Sequence, residues 1–120
     1  MCKLVSYKNG KKVADIKYRH IENISKQAEK CENISRIMLF GSSIEERCND
    51  RSDIDIAVFG KLSKNRYLDS TEFRRFHDQV YLFDMNQDYD ILYFKDGQEY
   101  KDSIMEEINR GAEIYRRSSL

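Results

Sequence analysis

Three segments of the chain carry apolar residues at the spacing of a helix. They cover residues 20–33, residues 69–83 and the stretch that ends before Gly111. Residues three or four apart lie on one face of a helix, so each segment is predicted to be a helix that buries that face. The apolar positions are Ile21, Ile24, Ala28 and Cys31 in the first, Phe73, Phe76, Val80 and Phe83 in the second, and Tyr100, Ile104 and Ile108 in the third. We expect the second set, with Met38, to lie in the core.

Helix starts are indicated by polar residues at capping spacing. Asp69 is followed three positions later by Glu72, and Ser103 by Glu106, which is typical of a capping box. Residues 42–48 are predicted to form a further short helix whose first turn is capped by Ser42 or Ser43.

Short apolar runs between these segments predict strands. Residues 34–40 and 53–59 are rich in strand formers and are each followed by a glycine, so both are predicted to be buried central strands. Residues 88–94 alternate and predict a third strand, and residues 112–116 predict a last one. Near the start, Asn9-Gly10 separates two short runs and predicts a hairpin with a two-residue connection.

This order of elements predicts an α/β (α+β) fold, with helices packed on a small mixed β-sheet and an N-terminal β-hairpin. The chain has 120 residues, the size of one ordinary domain. We therefore predict a single domain over residues 1–120, with a hairpin extension at 1–19 and a core at about 20–116.

Charge and cysteine content narrow the class of protein. Lys plus Arg and Asp plus Glu both number 21, so nothing in the balance demands nucleic acid or a membrane surface. Cys2, Cys31 and Cys48 are odd in number and widely spaced, which argues against a disulfide framework or a zinc site. Residues 1–4 lack the apolar region typical of a signal peptide, and no apolar run approaches the roughly 18 residues of a membrane span, so we expect neither a signal peptide nor a membrane helix. We expect a soluble, cytoplasmic protein with reduced thiols.

Asp53 and Asp55 open the second buried strand. Residues two apart in a strand point to the same face, so these carboxylates project together while Ile54 and Ile56 enter the opposite face. Two adjacent carboxylates repel each other unless a cation lies between them. Magnesium prefers such oxygen ligands and completes its shell with waters and substrate phosphates. The pair therefore indicates a metal and nucleotide site.

The preceding strand ends in a Gly-Ser corner. Free backbone N–H groups at a helix start bind phosphate, and Gly41 permits close approach. Ser42 adds a hydroxyl donor. Gly41, Ser42 and Ser43 are the candidate nucleotide-binding residues, and Arg51, Lys61 or Lys64 are equally eligible to neutralise phosphate charge.

The stretch LFGSSIEERCNDRSDIDIAVFG resembles the signature of the DNA polymerase beta-like nucleotidyltransferase superfamily, and the short length resembles its minimal nucleotidyltransferase (MNT) branch. That family's pattern ends with a third acidic residue on a following strand, and QDYDILYF provides it. Asp88 and Asp90 share one strand face, so either is sterically possible, and the family's arrangement favours Asp90. One departure is that members commonly carry a basic residue and a glycine after Gly-Ser, where this chain has residues 43–48, SIEERC.

The resemblance implies a polymerase beta-like fold and a mechanism. Asp53, Asp55 and Asp90 are implied as catalytic residues and as ligands of two Mg²⁺ ions, with ATP as substrate and pyrophosphate as leaving group. The minimal branch resembles the antitoxin of HEPN/MNT toxin–antitoxin pairs. Its implied reaction transfers AMP to a tyrosine of the HEPN toxin partner.

Two other classes of function stay open. A non-catalytic binding module would keep the fold and silence its partner by covering it. A transferase for a small molecule or an RNA end would need a separate subunit, and zero net charge argues against direct nucleic-acid binding. The base, the acceptor and the oligomeric state are left open.

Overall fold

The computed structural model describes residues 2–118, which form six strands and four helices joined by turns. In chain order these are β1 (Leu4–Ser6), β2 (Lys12–Ala14), α1 (Tyr18–Glu29), β3 (Ile34–Phe40), β4 (Ile54–Gly60), α2 (Lys64–Leu68), α3 (Thr71–Leu82), β5 (Tyr89–Lys95), α4 (Ser103–Asn109) and β6 (Ala112–Arg116). The predicted domain limits, Met1 and Leu120, lie outside the described residues, and the domain division stays a prediction.

Four strands form one mixed sheet in the order β5-β4-β3-β6. β3 runs antiparallel to β4 and β6, whereas β4 and β5 are parallel. Parallel neighbours need a crossover connection, and α2 and α3 supply it. β1 and β2 pair separately as an antiparallel hairpin. The predicted fold class, a small mixed sheet with packed helices and an N-terminal hairpin, is confirmed.

Alternation along β4 sends its side chains into two cores. Ile54 and Ile56 are fully buried in the larger cluster, to which α1 and α3 also contribute. Phe59 points to the other face and packs in a smaller cluster with Ile108 of α4. Asp55 is four residues before Phe59, so its side chain lies on the same face as α4. The predicted separation from Ile54 and Ile56 is therefore confirmed for Asp55, whereas Asp53 lies one residue before β4, which begins one residue later than predicted.

The first predicted helix is confirmed with a shifted end. Ile21, Ile24 and Ala28 are its buried apolar residues. The helix ends at Glu29, four residues earlier than predicted, and Cys31 is buried beyond it.

The second predicted helix begins one residue later than its sequence pattern indicates. Ser70 caps α3 because its Oγ accepts the backbone N–H of Phe73 at 3.1 Å, so Asp69 is not the cap. Glu72 instead accepts the backbone N–H groups of residues 32–33, at 3.1 and 3.2 Å. Glu72 therefore connects α3 to the segment before β3, and the predicted capping box does not form.

Two other helix predictions are wrong in detail. α4 is preceded by Asp102, which makes no side-chain capping bond, so the predicted box between Ser103 and Glu106 does not form. Phe83 lies beyond the last residue of α3 and is 42% exposed, so it is not a core residue. The short helix α2 was not predicted from the sequence.

The predicted two-residue hairpin turn is also wrong. Strand pairing ends at Ser6 and Lys12, so the connection spans residues 7–11. Tyr7 is buried, with its hydroxyl 2.9 Å from Ser25 Oγ, and its backbone N–H donates to the Lys11 carbonyl at 2.7 Å across a 3-10 turn at Lys8–Gly10. Gly10, with φ of +73°, then completes the turn.

The predicted helix over residues 42–48 is replaced by a four-residue 3-10 turn, Gly41–Ile44. The chain leaves this turn in an extended conformation at Glu45. Cys2 holds it there, because its backbone N–H donates to the Glu46 carbonyl at 3.3 Å and its Sγ donates to the Glu45 carbonyl at 3.3 Å. Contact with the N-terminus therefore overrides the local helical pattern.

Across residues 2–118, no helix is both long enough and apolar enough to cross a membrane. Cys2, Cys31 and Cys48 are buried, and none of the three is paired in a disulfide.

Candidate active site

The predicted aspartates lie at the end of the sheet where β3 finishes and β4 begins. A cleft of about 360 Å³ opens there. Its lining residues are Gly41, Ser42, Arg47, Arg51, Ser52, Asp53, Asp55 and Glu107. Four of the predicted site residues, Gly41, Ser42, Asp53 and Asp55, are therefore brought together by the fold.

Asp90 lies beside Asp55 on the neighbouring strand. The two residues are partners in the parallel register of β4 and β5, and parallel neighbours point to the same face of a sheet. Asp90 is exposed and stands next to the lining of the cleft. Asp88 precedes β5, and its carbonyl accepts the Ile54 N–H at 3.0 Å. Of the two candidates for a third carboxylate, Asp90 is thus the one paired with Asp55.

Gly41 makes the close approach between the turn and the carboxylates possible. Its φ is +74°, a conformation that residues with a Cβ rarely adopt. A Cβ at this position would overlap Asp55 Oδ2 and lie 3.3 Å from Asp55 Cγ. A larger residue here would therefore strain the backbone and displace the Asp55 carboxylate.

The Asp55 carboxyl group is electrostatically disfavoured as an anion. Burial, followed by the charges of Asp90, Asp53 and Glu107, raises the pKa of Asp55 to about 6, and Arg47 opposes this only in part. Adjacent carboxylates raise each other's pKa in this way unless a cation neutralises them. The site is therefore short of positive charge.

These carboxylates fit a hard divalent cation. Asp55 and Asp90 offer anionic oxygen ligands on one face of the sheet, and Asp53, directly before β4, lines the same cleft, which has room for phosphates and water. Within residues 2–118, no group of three or more His, Cys, Asp or Glu side chains is already arranged around one point. Rotation of these side chains would thus accompany binding of a cation.

The two serines of the turn occupy different environments. Ser42 lines the cleft. Ser43, also a predicted nucleotide-binding residue, is fully buried, and its Oγ has no hydrogen-bond partner among the described residues. Of the pair, only Ser42 is positioned to meet a ligand in the cleft.

The three predicted phosphate-binding cations lie in different parts of the structure. Arg51 lines the cleft. Lys61 follows the far end of β4, and Lys64 begins α2 and lines a different cavity with Tyr93. Arg47 lines the cleft as well, where Glu45 pairs with it at 2.8 Å. Arg51 is therefore the cation of the predicted three that faces the aspartates.

Glu107 is a cleft residue that sequence reasoning missed. It comes from α4, more than fifty positions after Asp55, and its charge contributes to the raised pKa of that residue. No local motif marks it. Only the packing of α4 on this face of the sheet brings it to the cleft.

Aspartates on adjacent parallel strands beside a Gly-Ser turn, on a small mixed sheet, define a nucleotidyltransferase-type domain. The family model described as "Polymerase beta, Nucleotidyltransferase" matches residues 22–120. The chain therefore belongs to the polymerase beta nucleotidyltransferase family. No curated protein matches the chain.

Proposed function

We propose that this protein transfers AMP from ATP to a tyrosine hydroxyl of a partner HEPN toxin and so acts as its antitoxin. The observation that carries the transfer reaction is the alignment of Asp55 with Asp90 next to the Gly41 turn. The choice of partner rests on the resemblance to the minimal branch of the family and on the zero net charge. A cytoplasmic location, favoured by three thiols without a disulfide, is part of the proposal.

The reaction is an in-line substitution at the α-phosphorus. The acceptor oxygen forms a bond to phosphorus, and the bond from phosphorus to the oxygen bridging to the β-phosphate breaks, releasing pyrophosphate. Asp90, on the exposed side of the site, takes the proton of the acceptor hydroxyl. Gly41 and Ser42 hold the β- and γ-phosphates, and Arg51 neutralises part of their charge.

Asp53, Asp55 and Asp90 are the residues that would hold two Mg²⁺ ions. When bound, these ions neutralise the triphosphate and lower the pKa of the acceptor hydroxyl. Their charge would also offset the repulsion that raises the pKa of Asp55.

A second candidate function is a non-catalytic module that silences a partner by covering it. The pairing of Arg47 with Glu45 favours it, because this cation of the cleft is already engaged rather than free for phosphate. A transferase that acts on a small molecule or an RNA end is a third candidate and would share the same carboxylates.

The test is to mix the purified protein with the HEPN-type protein encoded by the neighbouring gene, Mg²⁺ and α-labelled ATP. The intact mass of both chains is then followed. We expect the partner to gain one AMP moiety, and the labelled residue to be a tyrosine. Asp53→Ala should abolish the gain while leaving the complex of the two proteins intact. Asp88→Asn is the matched control, since it changes a nearby exposed aspartate outside the pairing.

Each outcome selects one function. Transfer by the Asp53→Ala variant would refute the assignment of the carboxylates. A stable complex without transfer of any of the four nucleotides would favour the non-catalytic module. Label on RNA or on a small molecule, and not on the partner, would favour the third candidate.

A further inference from the structure

A buried amide connects the two backbone segments that lead to the carboxylates. Gln87 is 5% exposed and lies in the turn before β5. Its Nε2 donates to the Ser52 carbonyl at 3.0 Å and to the Asp88 carbonyl at 2.7 Å. Ser52 directly precedes Asp53, and Asp88 lies two residues before Asp90. One side chain thus bridges the approaches to both strands.

A buried lysine sets the orientation of this amide. Lys17 is 2% exposed, and its Nζ donates to Gln87 Oε1 at 2.6 Å and to the Asp50 carbonyl at 3.3 Å. An ammonium group can only donate hydrogen bonds, so the amide must turn its oxygen toward Lys17. The NH₂ group is then directed at the two carbonyls.

The bridge adds to the hydrogen bond that opens the parallel pairing. The Ile54 N–H donates to the same Asp88 carbonyl at 3.0 Å, directly before the register that places Asp55 opposite Asp90. Gln87 therefore binds the backbone directly before the register that sets the spacing between Asp55 and Asp90.

We propose that Gln87 and Lys17 are positioning residues for the carboxylate site. They hold the starts of β4 and β5 in the register that aligns Asp55 with Asp90, and they act through the backbone without touching the substrate. Lys17 lies before the matched residues 22–120, so the proposal gives the N-terminal segment a role in the site. The expected loss of transfer rests on the proposed function, whereas the effect on register does not.

Buried polar residues also stabilise a fold without serving a site, so a matched control is needed. Asn33 provides one at the opposite end of β4. It is 8% exposed, its Oδ1 accepts the Leu62 N–H at 2.8 Å, and its Nδ2 donates to the Tyr93 hydroxyl at 3.0 Å. Gln87→Leu and Asn33→Leu each replace a buried amide by an apolar side chain of similar size.

The experiment compares the full-length wild type with Gln87→Leu, Asn33→Leu, Lys17→Met and Lys17→Arg. Backbone hydrogen exchange at Ile54 is measured relative to amides of β3, and thermal unfolding reports stability. Steady-state transfer of AMP to the partner is measured on the same samples, with kcat and KM for ATP determined separately.

We expect Gln87→Leu to speed relative exchange at Ile54 and to lower kcat by roughly 10- to 100-fold, because small misplacements of reacting groups have effects of this size. KM for ATP should stay within about threefold, since the cleft residues that bind it are retained. Lys17→Met should change both readouts in the same direction, and Lys17→Arg, which keeps a donor, should restore much of the loss. Asn33→Leu should lower stability without lowering kcat.

Unchanged exchange at Ile54 in Gln87→Leu would overturn the proposal. So would a loss of kcat in Asn33→Leu equal to that in Gln87→Leu at equal stability, since the role would then be general. If the wild type transfers no nucleotide, the proposed function fails, and the exchange data alone still decide whether Gln87 and Lys17 hold the register.

Discussion

Gly41 and Asp55 are in such close contact that a single added methyl group at position 41 would overlap the Asp55 carboxylate. The turn that follows β3 and the first carboxylate within β4 therefore form one unit. The contact places the backbone of the turn beside a carboxyl group whose pKa is raised by burial and by the charges of Asp90, Asp53 and Glu107.

Gly41→Ala should reduce transfer far more than it reduces stability. The positive φ costs an alanine roughly 1–2 kcal/mol, and the added Cβ also displaces the Asp55 carboxylate. Gly97→Ala is the matched control, because Gly97 has φ of +75° and a Cβ added there would meet none of the described residues within 4 Å. Thermal unfolding should show similar losses of stability in the two variants. Initial rates of transfer should fall only in Gly41→Ala. Equal rates in the two variants would contradict the proposed contact.

Asp55 should make the metal-free protein less stable as pH rises. Its pKa is about 6 in the folded protein, above the ordinary value of 3.8. The folded state therefore binds more protons than the unfolded state between these values, so the free energy of unfolding falls as pH rises through that window. In the presence of a chelator, Asp55→Asn should flatten this part of the stability curve and raise Tm at pH 7.5.

The control for that measurement is Asp69→Asn, which removes an exposed carboxylate away from the cleft. A fall in the Tm of Asp55→Asn below that of the wild type at pH 7.5 would show that Asp55 is not destabilised by its surroundings.

Asp90 and Asp88 should be distinguishable by kinetics. Asp90→Asn removes the carboxylate paired with Asp55 and the proposed base, so kcat should fall by roughly 10²-fold or more. Asp88→Asn keeps the backbone carbonyl that accepts from Ile54 and should leave kcat nearly unchanged. The reverse ranking of the two variants would move the third carboxylate to Asp88.

Arg51 should contribute to nucleotide binding. Arg51→Ala removes a cation from the cleft, so KM for ATP should rise roughly tenfold, the equivalent of about 1.4 kcal/mol. Lys61→Ala removes a cation beyond the far end of β4 and should leave KM unaltered. Initial rates over a range of ATP concentrations test both, and equal effects would indicate only a change in overall charge.

Ser70 should stabilise α3 as its cap. Ser70→Ala removes the acceptor of the Phe73 N–H and should lower the free energy of unfolding by about 1 kcal/mol. Asp69→Ala, at the position that the sequence pattern indicates as the cap, should have a smaller effect. Urea unfolding of both variants measures the difference, and a larger loss in Asp69→Ala would place the cap at that residue.

The elements that sequence predicted best are those whose pattern is local and strong. β3 begins and ends at the predicted residues 34 and 40, because a buried apolar run stops where Gly41 turns the chain. The predicted short helix over residues 42–48 does not form beyond the 3-10 turn, because Cys2, more than forty positions away, binds the carbonyls of residues 45–46. Distant contacts of this kind leave no trace in local spacing.

The candidate site, like the fold, was predictable from the sequence only where its features depend on neighbouring residues. The prediction that Asp53 and Asp55 share a face follows from the two-residue period of a strand, and both residues line the cleft with Gly41, which follows the end of β3. Which acidic residue after α3 lies next to them depends on the parallel register of β5, which the order of residues along the chain does not fix.

By itself, the sequence determined the mixed fold, the Gly-Ser turn and the paired aspartates, since each depends on the period or the backbone freedom of neighbouring residues. The roles of those residues in binding metal and nucleotide stay predictions. Only the tertiary structure decided that Asp90 is the residue paired with Asp55, that Glu107 faces the cleft and that Lys17 and Gln87 bridge its two strands. These relationships join residues far apart in the chain, and packing of the helices and pairing of the strands bring them together.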